Sequence, residues 1–199
     1  MNIKNLYLYI LSGFLKMIKI PDFIKIPIGN FYLNKDISSL ERKKKVINLD
    51  SAGSVGISYF LESDEDYLEI AEFVDFLHKK GIRVKAIGYV KDKFLTNRYL
   101  PKLTYDFVYE KDLNWYGKPG GMYVREFLKN NFDVFIDLSR GDLYPLKYIA
   151  ANSRAGLKVG RNIPSNRAIF DLMISQEEPF LLKPFIKEVT HYLTIINKN

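Results

Sequence analysis

The stretch FDVFIDLSRGDLYPLKYIAANSRAGLKVG, residues 132–160, decides the fold. Residues 132–139, FDVFIDLS, form a nearly unbroken apolar run, the pattern of a strand covered on both faces at the centre of a parallel sheet. YPLKYIAANS (144–153) then reads as a helix with Pro145 in its first turn, where a missing N–H costs little. AGLKVG (155–160) returns to a short strand. Strand, helix and strand in this order make a βαβ unit.

The same alternation extends on both sides. SVGISYFL (54–61) reads as the first strand. A helix follows from Ser63 or Asp64 as N-cap to Gly81 as stop, with Leu68, Ala71, Phe73, Val74 and Leu77 as its expected apolar face. IRVKAIGYV (82–90) and YDFVYE (105–110) are further strands, joined by the connection 91–104, and a helix is predicted over about 120–130. FDLMIS (170–175) is a last short strand. Phe185, Ile186, Val189, Leu193 and Ile196 recur at helical spacing in a closing helix. The expected fold is α/β, a three-layer domain with a mainly parallel sheet of about five strands over residues 46–199, preceded by an N-terminal helix.

Composition narrows the function. The chain has 199 residues, 47% hydrophobic and 27% charged, room for one α/β domain with an appendage. It has no cysteine, which removes disulfides, thiolate metal sites and cysteine nucleophiles. The net charge of +7 is unevenly placed. Residues 1–45 carry nine Lys or Arg against three acids, a net +6, while the remainder carries 21 against 20, a net +1. A basic arm, residues 1–45, is therefore set apart from a nearly neutral body.

Within the arm, LYLYILSGFLKMIKI (6–20) is too short and too interrupted by Lys16 and Lys19 to span a bilayer, which takes about 20 apolar residues. No small-residue cleavage site follows it, so it reads as retained. On a helical wheel Asn5, Ser12, Lys16 and Lys19 share one narrow stripe, and apolar residues cover the rest. Such a helix needs a partner: the body, another subunit or a membrane interface. Residues 21–53 read as a linker or wrapping segment, with ERKKK (41–45) its most exposed part.

Candidate site residues fall in two stretches. KDLNWYGKPGG (111–121) holds the chain's one tryptophan and leads into a helix, whose free N–H groups suit a carboxylate or phosphate. Trp115, Lys118, Gly120 and Gly121 are its ligand candidates, against the alternative of a tight turn. It lacks the spacing of a P-loop or of GxGxxG. Asp137, Ser139 and Arg140, with Asp142, stand at the carboxyl end of the central strand, where open α/β sheets bind ligands. Their alternative is to cap the next helix and pair with one another. The acids from Glu62 to Asp75 read as a helix start and its solvated face, and His78 and His191 as structural residues. No metal, cofactor or catalytic residue is expected.

KDLNWYGKP, FDVFIDLS and YIAANSRAGLKVG together resemble an uncharacterised domain family of Bacteroidota proteins, over about residues 46–196. Residues 132–161 are also similar to the N-terminal Rossmann-like half of the lipopolysaccharide heptosyltransferases, where a strand ending in an acid leads through a helix to a strand ending in Gly and a basic residue. Asp137, Gly160 and Arg161 hold those places. The glycine-aspartate motif of those enzymes after the first strand is replaced by ESDEDY (62–67), and a second nucleotide domain has no room. The first resemblance implies no activity, and the second implies a half-enzyme scaffold without a donor site.

The function expected from the sequence is a cytoplasmic, non-catalytic binding or assembly module that docks through its basic, apolar arm. A protein partner or self-association ranks first, peripheral membrane contact second and nucleic acid last. The alternative is a small-molecule or sugar-processing protein related to a glycosyltransferase half-domain, acting at the strand carboxyl ends.

Overall fold

The structure is a computed structural model and describes residues 20–91 and 99–196. The apolar segment 6–19 of the expected N-terminal helix, and residues 92–98 of the connection 91–104, lie outside the described residues. The elements in chain order are α1 (Asp22–Ser39), β1 (Ser54–Leu61), α2 (Asp64–Lys79), β2 (Arg83–Val90), β3 (Tyr105–Tyr109), α3 (Met122–Lys129), β4 (Val134–Asp137), α4 (Tyr144–Asn152), β5 (Leu157–Arg161), β6 (Leu172–Ile174) and α5 (Leu182–Ile195).

Six strands form one sheet in the order β3-β2-β1-β4-β5-β6, and every pairing is parallel. This is the strand order of the doubly wound Rossmann sheet. The apolar run of residues 132–139 supplies β4, which lies beside β1 at the centre as its composition requires. The sixth strand is β6, only three residues long, parallel to β5 at the edge.

Period-2 alternation divides the core between two layers. Ile57, Tyr59 and Leu61 of β1, with Val134 and Ile136 of β4, pack against α2 and α5. Ile87 and Tyr89 of β2, with Phe135 of β4, pack on the opposite side against α1, α3 and α4. The capping box of Ser63 and Asp66 starts α2. Its buried face is Ile70, Phe73, Val74 and Leu77, an i, i+3, i+4, i+7 set. Leu68, expected on that face, is 61% exposed. Two residues before Ile70, it is rotated by about 200° from the buried stripe.

Where the sequence suggests a linker over residues 21–53, the chain first makes α1 and packs it on α4, then runs extended along the amino ends of β4 and β5. α1 buries only Gly29 and Leu33 fully. In its second turn Pro27 forfeits the bond its N–H would have made to the Phe23 carbonyl. In ERKKK, Glu41, Lys43, Lys44 and Lys45 are exposed as expected, and Arg42 is the exception. Arg42 reaches inward to the carbonyls of Ala155 and Gly156, at 3.1 Å each, and forks onto Asp171 at 2.6 and 2.7 Å.

One core group is under-satisfied. Tyr59 is fully buried, and its hydroxyl has no hydrogen-bond partner among the described residues. Its ring lies so close to Gly88 that a Cβ there would come within 2.8 Å of Cζ. Burial holds the phenol well above its ordinary pKa, and the neighbouring Tyr67 and Tyr105 push the same way. Removing an unpaired buried hydroxyl while keeping the ring recovers its desolvation cost. Tyr59→Phe is expected to stabilise the fold by about 1 kcal/mol, raising the melting midpoint by roughly 2–4 °C in calorimetry.

Candidate functional site

The carboxyl edge of the sheet carries two places where a ligand could be sought. The first is the crevice beyond β1 and β4, the switch point at which doubly wound sheets bind nucleotides. Asp137 ends β4 opposite Ser58 of β1 and is 5% exposed. Its Oδ1 accepts from Ser58 Oγ at 2.7 Å and its Oδ2 from Ser139 Oγ at 2.8 Å. Burial pushes the Asp137 carboxyl above the usual range, although both hydroxyls pull it back. These residues do not cap the next helix: the N-cap of α4 is Leu143, and no side chain caps it.

Arg140 is likewise engaged. Its guanidinium meets Asp66 at 2.5 Å and Glu62 at 3.1 Å. The other oxygen of Asp66 accepts from the backbone N–H groups of Glu62 and Ser63, at 3.1 and 3.0 Å. These amides follow β1 and open α2, the position that cradles phosphate in a dinucleotide fold. Here the chain supplies its own anion. Asp66 is 4% exposed, so it leaves the solvated face on which the sequence places it. Arg161 closes the crevice further: it donates to the Arg140 carbonyl, pairs with Glu178 at 2.9 Å and lies 4.5 Å from the Phe180 ring centre.

The second place is a cleft of ≈ 860 Å³ at the carboxyl ends of β3, β4 and β5. One wall is the stripe of α1 that carries Asp22, Lys25, Ile26, Asn30, Leu33, Asn34 and Ile37, positions that share one helix face. The facing wall includes the segment 113–117, with Trp115 and Tyr116. Asn114 shapes this turn. Its Oδ1 accepts from the N–H groups of Tyr116 and Lys118 at 3.1 and 2.9 Å, and its own N–H donates to the Lys118 carbonyl. Gly117 completes it at φ 93°, a value that side chains rarely adopt.

Aromatic contacts hold the two walls together. Tyr116 stacks on Tyr32 of α1 with centroids 5.2 Å apart and meets Trp115 and Tyr144 edge-on. Tyr144 donates its hydroxyl to the Gly29 carbonyl at 2.9 Å, and a Cβ on Gly29 would fall 2.9 Å from that ring. Glycine at position 29 is what lets Tyr144 lie against α1. Also lining the cleft, Asp142 pairs with Lys147 and accepts from Ser165 Oγ at 2.8 Å. The charged side chains of the lining balance: Asp22, Glu110 and Asp142 against Lys25, Lys111 and Lys147.

Of the candidates from the sequence, Trp115 lines this cleft. Lys118 instead lies 4.7 Å from the ring centre of Tyr148. Gly120 donates to the Asp112 carbonyl, and Gly121 opens α3 at φ 92°. Asp137, Ser139 and Arg140 form a separate cluster in the crevice. The contribution of α1 is not anticipated by the sequence reading. Its signal is the recurrence of residues 22, 25, 26, 29, 30, 33, 34 and 37, which Pro27, Gly29 and a weakly buried face obscure. Among the described residues no three His, Asp or Glu side chains converge as a metal site.

A doubly wound parallel α/β domain with an added helix over its carboxyl edge is thus the class of protein that the fold and cleft define. The chain belongs to the family of unknown function DUF6913, whose profile matches residues 25–196. The match starts inside α1, so the helix wall of the cleft falls largely within the family's span. No curated protein and no solved structure matches the chain. Among the described residues no helix is long and apolar enough to cross a membrane.

Proposed function

We propose that the protein is a non-catalytic binding module whose ligand is a small, uncharged, ring-bearing molecule, with a sugar as the leading class, held in the cleft under α1. The observation that carries this reading is the composition of the two walls. An indole and a phenol on the turn face the amide-bearing residues Asn30 and Asn34 on the helix, in a space of ≈ 860 Å³ whose charges cancel. Aromatic faces with a few polar groups are the ordinary equipment of a small-molecule pocket. A cleft without excess charge gives no advantage to phosphate or carboxylate. In the crevice the groups that would perform chemistry on a ligand, Asp137, Ser139 and Arg140, are bonded to Ser58, Asp66 and Glu62.

Titration calorimetry against a panel of free sugars and their nucleotide diphosphates tests this. Free and nucleotide-linked forms of the preferred sugar are expected to bind within a few-fold of one another, because the amides suited to a diphosphate already hold Asp66. Trp115→Ala is expected to weaken binding by roughly tenfold or more, the effect of losing one aromatic anchor. Binding of a sugar nucleotide far tighter than of its sugar, lost on Asp137→Ala and unaffected by Trp115→Ala, would instead establish the transferase-like alternative at the strand ends.

A further inference from the structure

α1 forms one wall of the cleft, yet the body holds it by little. Of its 18 residues only Gly29 and Leu33 are buried, with Ile37 half-buried against the same core layer. The ring contacts and hydrogen bonds that tie it to the body, among the described residues, are three. Tyr32 stacks on Tyr116, Tyr144 donates to the Gly29 carbonyl, and the Asn152 amide makes a long bond of 3.4 Å to Asp36. All engage residues 29–36, and among the described residues no hydrogen bond or ion pair ties residues 22–28 to the body. The chain just beyond α1 is fastened far more firmly. Arg42 grips the Ala155 and Gly156 carbonyls and Asp171, and the Lys45 N–H donates to the Gly156 carbonyl at 3.0 Å. Leu40, already extended at ψ 109°, and the exposed Glu41 join the loosely held helix to this anchor.

A segment with few buried apolar contacts opens at a free energy well below that of the whole fold. Released from the body, α1 also loses its helix, because Pro27, Gly29 and the β-branched Ile24, Ile26, Ile28 and Ile37 make it a poor helix alone. We propose that α1 is a lid, which detaches from the cleft about Leu40 and Glu41 and closes again over the ligand. The stack of Tyr32 on Tyr116 and the bond from Tyr144 to Gly29 are its latch. This role rests on the cleft being the ligand site, whatever the ligand's class. A ligand that touches both walls binds only the closed form, and so holds the lid shut in proportion to its occupancy.

The test is hydrogen–deuterium exchange of the full chain, read by mass spectrometry over peptides from α1, β1 and β4. With Leu33 and the latch holding it, α1 is expected to exchange roughly tenfold to a thousandfold slower than unstructured chain, and at least about tenfold faster than β1 and β4. Tyr32→Ala leaves the cleft lining intact and should speed exchange in α1 roughly fivefold or more, with β1 and β4 unchanged. Tyr144→Phe removes only the bond to Gly29 and should speed α1 roughly twofold to tenfold. A sugar that binds in calorimetry, added at about ten times its Kd, should slow α1 roughly tenfold. Exchange in α1 as slow as in β1 and β4, or as fast as in unstructured chain, would overturn the proposal. So would latch variants that leave α1 unchanged or speed β1 and β4 equally, or a sugar whose binding is lost on Trp115→Ala but which leaves α1 exchange unchanged. If no sugar binds while the latch variants speed α1 alone, the lid stands and the sugar reading falls.

Discussion

Arg42→Ala is expected to cost about 3 kcal/mol of stability, read as a lower urea midpoint and a melting temperature reduced by roughly 10 °C. Arg42 stands in a run of lysines, yet its side chain is 9% exposed and that of its partner Asp171 16%. The guanidinium joins three pieces of chain that no helix or turn joins: its own extended segment, the Ala155 and Gly156 carbonyls ahead of β5, and Asp171 ahead of β6. Truncation leaves the two carbonyls without this donor and the carboxylate with only Lys44 and the Lys158 N–H. Arg42→Lys keeps the charge but cannot make the planar fork, so about half the loss should remain. A nucleic-acid surface built on residues 42–45 predicts the reverse, an unchanged fold and a lost affinity.

The pH dependence of this loss has a defined sign. Burial alone would raise the Asp171 carboxyl, but the hydrogen bonds from Arg42, the Lys158 N–H and Lys44 outweigh it and hold it below the usual carboxylate range. A depressed acid stabilises the fold above its unfolded value, near pH 4, and loses that contribution as pH falls through the folded value. The deficit of Arg42→Ala should accordingly be full at neutral pH and shrink in acid.

How legible such features are in the sequence depends on the range over which they act. The strands β1 and β4 announce themselves because a strand covered on both faces must be apolar throughout, and residues 54–61 and 132–139 nearly are. α2 is bounded by its own Ser63 and Gly81. β6 falls within a stretch read as a strand, and its pairing with β5 comes from the sheet. α1 escapes because its burial rests on Gly29 and Leu33, while Phe23, Ile24 and Phe31 face away from the body. The cleft is half legible. A lone tryptophan in a glycine and proline turn draws attention to Trp115, but its opposing wall is a helix some 80 residues upstream. The closure of the crevice is a pairing of Arg140 with Asp66 across 74 residues, which no local pattern records.

Lys158→Met is expected to stabilise the protein, the opposite of what a lost hydrogen bond suggests. Lys158 is 2% exposed and lies in β5, within the sheet. Its ammonium donates to the Ala151 carbonyl near the end of α4 at 2.9 Å. Burial, with Arg42 nearby and Lys44 adding to it, brings its pKa down to about 7, and Asp171 offsets only part of this. Below pH 7 the side chain is charged in both folded and unfolded chains, and the full cost of burying it applies. From there to about pH 10.4, the unfolded value, only the unfolded chain holds the proton, so stability rises with pH. Methionine fills similar volume without charge and gives up the bond to Ala151, worth about 1 kcal/mol. The net gain should be about 2 kcal/mol at pH 6 and should vanish or reverse by pH 10, measured as the difference between variant and wild type in urea titrations. The difference isolates Lys158 from tyrosines such as Tyr105, whose pKa is raised to about 12 and which titrate in both proteins alike. A variant less stable than wild type at pH 6 would mean that the cation at the end of α4 contributes more than its burial costs.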